Sequence, residues 1–68
     1  MDVLTAVEIR NLRNRLGLTQ ARLASLVGVT RNTISRLERG VTNDFELRYM
    51  ATDALRRIPS SFLLRGIT

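Results

Sequence analysis

The sequence predicts an all-α fold, one compact bundle of five short helices. Three observations carry that expectation. Apolar residues recur at helical spacing through most of the chain, and no segment alternates as a strand does. Threonines stand just before three of these stretches, at Thr5, Thr19 and Thr30, where a hydroxyl can accept an otherwise orphaned backbone N–H. Glycines follow the same three stretches, at Gly17, Gly28 and Gly40.

Taken in order, residues 1–4 read as a loose lead-in. Thr5-Ala-Val-Glu8 spells a capping box, and Leu4 with Ile9 is spaced as a hydrophobic staple. The first helix is therefore expected at about 6–15, with Ile9, Leu12 and Leu16 as its inner stripe. The second spans about 20–27 and the third about 31–39. Leu18 with Leu23 and Val29 with Ile34 repeat the staple at each entry. Ala24 is small where these two helices must cross closely. Leu23, Leu26 and Val27 are expected to face inward from the second helix, and Ile34 and Leu37 from the third. That leaves Arg31, Asn32, Ser35, Arg36 and Arg39 on the outer face. Val41-Thr42-Asn43 is a loop, with Asn43 placed to cap a fourth helix over about 44–57. Asp44 and Glu46 in its first turn suit the helix dipole. Its expected inner face is Leu47, Met50, Ala51, Ala54, Leu55 and Ile58. Pro59 stops it, because proline disfavours helical geometry at the preceding residue. A fifth helix is expected at about 60–65, ended by Gly66.

Composition narrows the function. The chain has 68 residues, a single small domain, and its 44% hydrophobic content suffices for one core. A domain this small buries only about 60% of its unfolded surface, so association with a second copy would help it. There is no cysteine and hence no disulfide or thiolate site, which fits a reducing cytoplasm. There is no histidine, the usual acid–base catalyst and a common metal ligand. The six acids are scattered, and the glycines form no phosphate-binding motif. No catalytic set, metal site or cofactor is expected. Neither a signal peptide nor a membrane span is legible.

Net charge is +5, and all eleven basic residues are arginine. Their distribution is uneven. Between Arg10 and Arg39 stand seven arginines and one acid, Glu38, whereas residues 43–68 hold four arginines and three acids. A basic half points to an acidic polymer as partner, and arginine offers a planar fork to phosphates and guanine edges.

Thr19 to Gly40, TQARLASLVGVTRNTISRLERG, resembles the helix-turn-helix of the phage repressor/Cro family, also found in many small bacterial regulators. The apolar positions 23, 27, 29, 34 and 37 match its pattern, with Ala24, Gly28 and the hydroxyl of Thr30. Leu-Gly-Leu-Thr-Gln at 16–20 and Leu-Glu-Arg-Gly at 37–40 are also typical. The resemblance extends over roughly residues 5–66 and is loosest after Gly40. It implies a lambda repressor-like domain whose second motif helix enters the major groove of double-stranded DNA. The implied base readers are Arg31, Asn32 and Arg36, with Thr33 and Ser35 beside them. The resemblance implies phosphate contacts at Gln20 and at Arg39 with Asn43; the free N–H groups and positive dipole ends at Thr19 and Thr30 suit a phosphate as well, and Arg10 is a further candidate. Arg13 and Glu38 occupy positions that the family joins by an ion pair. Phe62 is expected in the core, and Pro59, Leu63, Leu64 and Ile67 at a homodimer face. The spacing of Met50, Ala51, Ala54 and Leu55 is one residue wider than the family's common pattern.

The resulting expectation is a cytoplasmic, nucleoid-associated regulator, a repressor acting as a homodimer on an inverted-repeat operator. The fifth helix ends near the last residue, so no effector-sensing domain and no small-molecule effector are expected. The alternative is an antitoxin-like protein-interaction module using the Phe62–Ile67 patch, with DNA binding secondary.

Overall fold

The computed structural model of this chain describes residues 2–42 and 44–58. Four helices follow in order: α1 (Ala6–Arg15), α2 (Gln20–Val27), α3 (Arg31–Glu38) and α4 (Phe45–Arg56). Among the described residues there is no strand. The expected fifth helix lies outside the described residues.

Each of the first three helices starts where its threonine stands. Thr5, Thr19 and Thr30 have extended backbone, and their hydroxyls accept the N–H groups of Glu8, Arg22 and Thr33. At α1 the box closes in both directions, the Thr5 N–H donating to Glu8 Oε1 at 2.9 Å. That bond, with the hydroxyl of Thr5 second, holds the Glu8 carboxyl below its usual value of 4.5. The α2–α3 turn depends on Gly28, whose φ of 91° a side chain would strain. Its N–H and that of Val29 both bond the Ala24 carbonyl, at 2.8 and 2.9 Å, so the chain reverses within two residues.

The core draws on all four helices and on the α1–α2 connection: Ile9, Leu16, Leu18, Leu23, Ala24, Ile34, Leu37, Leu47, Ala51 and Leu55. Leu4, Leu12, Val27, Val29, Ala54 and Ile58 pack around it, half-buried. Two expected core residues are turned out. Leu26 is 47% exposed and Met50 38%. On a helical wheel of about 100° per residue, Leu23, Ala24 and Val27 cluster together and Leu26 falls on their flank. On α4 the buried face is shifted toward Thr52, and Met50 lies on the opposite flank.

The lead-in, held rather than loose, covers the Thr52 side of α4. The Leu4 N–H donates to Thr52 Oγ1 at 3.0 Å, and Thr52 Oγ1 donates to the Arg48 carbonyl at 2.7 Å. Arg48 Nη1 reaches the Leu4 carbonyl and Arg56 Nη2 the Asp2 carbonyl, each at 3.3 Å. Residues 2–4 thus lie against α4, and Thr52 is fully buried. A second correction concerns the α4 cap. Asp44, not Asn43, is the N-cap, its Oδ1 accepting the Leu47 N–H at 3.2 Å. Asn43 lies outside the described residues. Helices α3 and α4 are also one to two residues shorter than expected, with Arg39 and Arg57 as C-caps.

Two tests follow from these contacts. Thr52→Val keeps the volume but leaves the Leu4 N–H without its acceptor, so unfolding in urea should show a loss of about 1–3 kcal/mol. An unchanged midpoint would mean that the lead-in contributes nothing. Glu8→Gln retains an acceptor for Thr5 and removes the charge. Because the folded pKa of Glu8 is lowered, its charge stabilises the fold above the ordinary carboxylate range, and that contribution disappears as pH falls through the folded value. Wild type should be the more stable at pH 7, and the two should converge below about pH 4. A gap that persists unchanged in acid would contradict this.

Candidate nucleic-acid interface

The outward face of α3 is made by what its inward face is fixed to. Ile34 and Leu37 are fully buried, and so, at 5% exposure, is the charged Glu38. Arg13, on the apolar stripe of α1 four residues after Ile9, meets it. Arg13 Nε donates to Glu38 Oε2 at 2.6 Å and Arg13 Nη2 to Glu38 Oε1 at 3.0 Å, a two-pronged pair. The third guanidinium nitrogen, Nη1, donates to the Leu18 carbonyl at 2.7 Å. Gln20 Nε2 completes the set with a 3.1 Å bond to Glu38 Oε1. Both carboxylate oxygens and all three guanidinium nitrogens are therefore satisfied. One network ties α1, the α1–α2 turn, the start of α2 and the end of α3.

With that side pinned, Arg31, Asn32, Arg36 and Arg39 are all exposed, as are Thr30 and Thr19 at the two N-caps. Thr33 and Ser35 are half-buried between them. Arg31, Asn32 and Arg36 are exposed and make no side-chain hydrogen bond or ion pair among the described residues. Arg39 Nε reaches back to the Ser35 carbonyl at a long 3.4 Å. The Thr33 hydroxyl is 2.9 Å from that of Thr30, which also accepts the Thr33 N–H. Gln20 is half-buried at the opening of α2, its amide donating inward to Glu38 and to no other partner among the described residues. Arg10 is exposed on α1. Thr19, Gln20, Thr30 and the outer residues of α3 thus belong to the paired-helix unit, while Asn43 and Pro59, Leu63, Leu64 and Ile67 lie outside the described residues.

Two features escaped the sequence reading. The part of Gln20 in the ion-pair network has no local signature, since Gln20 and Glu38 are 18 positions apart. Thr52 did leave a signal, a small polar residue between Ala51 and Leu55, without a hint of its partner. Among the described residues no helix is long and apolar enough to cross a membrane.

Two short helices joined through a glycine turn, the second exposing a polar and basic row, define a helix-turn-helix protein. The chain belongs to the helix-turn-helix family of phage repressor/Cro type, its residues 9–43 matching that family. One relative is an uncharacterized HTH-type transcriptional regulator of Methanothermobacter thermautotrophicus, 62% identical over 32 residues. The aligned segment is 47% of this chain and 46% of that relative, so the chain spans about half the length of the curated relative it matches. No solved structure matches the chain.

The pair makes a direct prediction. Glu38→Ala would leave the Arg13 guanidinium buried with no counter-charge, a loss of about 3–5 kcal/mol. Denaturant titration should find it largely unfolded or close to it, whereas Arg22→Ala, on an exposed charge, should be near neutral. Equal stability of the two variants would show that the network does not hold the helices.

Proposed function

We propose that this chain is a sequence-specific double-stranded-DNA-binding transcription regulator, a repressor acting as a homodimer on an inverted-repeat operator. One observation carries the reading: α3 exposes Arg31, Asn32 and Arg36, without side-chain partners among the described residues, on a helix whose other face is locked into the core. A major groove accepts one helix, and its base edges carry a donor and acceptor code that such side chains can read. Arg31 and Arg36 suit the paired acceptors of guanine, and Asn32 the acceptor and donor of adenine. Thr33 and Ser35 lie close enough along the helix to border the same base pairs.

Phosphate contacts hold the helix in register. The free N–H groups at the starts of α2 and α3, beside Thr19, Gln20 and Thr30, carry the positive ends of two helix dipoles. Arg39 supplies a charge after α3, Arg10 a further one from α1, and Asn43, four residues on in sequence, is a further candidate. A net charge of +5 draws the domain to any duplex, and the α3 side chains choose among them. One eight-residue helix spans only a few base pairs, so two copies about a two-fold axis extend the site, with half-sites about 34 Å apart. The relative's description as a transcriptional regulator accords with this reading. Repression then follows from occlusion of the promoter.

Selecting bound duplexes from a random pool, with salt titration of the winner, tests the proposal. The pool should converge on an inverted repeat, and affinity should fall steeply with salt. Arg36→Ala should lose discrimination by about 1–3 kcal/mol at one base pair per half-site. Arg39→Ala should weaken all duplexes alike and flatten the salt slope. A pool that never converges, or binding insensitive to salt, would remove the proposal.

A further inference from the structure

Helix α3 is not the only element bordering its own outer end. Thr33 and Arg36 share a cleft of about 150 Å³ with Thr42, Asp44 and Leu47 from the following loop and helix. Asp44 is exposed, and only its Oδ1 is used, for the cap on Leu47. Oδ2 has neither hydrogen-bond nor ion-pair partner among the described residues. Glu38, the single acid between Arg10 and Arg39, is buried and neutralised. Asp44 is therefore a carboxylate with a spare oxygen among the described residues, set in the same cleft as Arg36 on α3, with Glu46 following it in the first turn of α4.

We infer that Asp44 is a specificity determinant, a carboxylate that penalises phosphate at the cleft and so keeps Arg36 for a base edge. This rests on the DNA reading above. An exposed, unpaired guanidinium has two uses on a duplex. It can take a phosphate anywhere, or fork onto the paired acceptors of one base. The phosphate carries a full negative charge, and the base edge only partial charges. A carboxylate lining the same cleft opposes the first far more than the second. Overall affinity falls, and the ratio of specific to non-specific binding rises, which is how repulsion serves discrimination.

Asp44→Asn isolates the effect, since it keeps shape and cap. Asp44→Ser, also a good cap, is the second neutral variant. Binding is measured to the selected operator and to a scrambled duplex over a salt series. Both variants should tighten the scrambled duplex about two- to fivefold at low salt, the scale of one unit charge facing another through water. The operator should gain less, so the specificity ratio drops, and the difference should shrink as salt screens it. Unchanged or increased specificity in variants with wild-type melting temperatures overturns the inference and leaves the DNA reading standing. Failure of the wild-type protein to bind any duplex at low salt overturns both.

Discussion

A buried charge pair sets the geometry of this small domain. Arg13 and Glu38 sit in positions that apolar residues would otherwise fill, four residues beyond Ile9 on α1 and beyond Ile34 on α3. Two opposite charges removed from water gain little net stability over a well-packed apolar pair. What they add is direction. A forked guanidinium accepts a carboxylate in one plane and at one distance, whereas leucines can slide. The 2.6 and 3.0 Å bonds therefore fix the rotation and depth of α3 against α1. The bonds to the Leu18 carbonyl and from Gln20 extend that constraint to the turn and to α2.

Function follows from that constraint by subtraction. An eight-residue helix is too short to be stable alone, and its conformation is imposed by packing. With Ile34, Leu37 and Glu38 committed inward, Arg31, Asn32 and Arg36 have one direction left. If these side chains read base edges, as proposed, a rigid support helps them, because little ordering remains to be done on binding. Gln20 links the two tasks. Its amide touches the buried carboxylate, and the residue opens α2, so under the proposed reading a phosphate held there would bear on the network that orients α3.

Much of this was legible in the sequence because its causes are local. Thr5, Thr19 and Thr30 cap N–H groups three residues on, and Gly28 answers a backbone angle at its own position. The helix starts, the turn and most of the core could therefore be read without coordinates. The misreadings concern faces, which depend on what packs opposite. Leu26 follows the periodic pattern, yet Ala24 draws the helix contact to its own side. On α4 the buried face includes Thr52, covered by a strap of residues 2–4 whose bonds to Thr52, Arg48 and Arg56 leave no trace in hydropathy, and Met50 is left on the other flank. Asp44 took the α4 cap from its neighbour Asn43 because both side chains can cap, and only the backbone path decides between them. The Arg13–Glu38 pair was expected from family resemblance. The stripe on α1 hinted at it as well, since a charge at a core position demands a partner.

The central claim is that the outer row of α3, held by the buried pair, is the surface that meets a duplex. The most direct measurement is an NMR titration of the labelled protein with its selected operator, following backbone amides and arginine side-chain signals. The account predicts large shifts at Gln20 and Arg31 through Arg36, with the Arg13 side chain retaining one protected environment throughout. Shifts confined to the outer face of α4, around Phe45 and Tyr49, would contradict it.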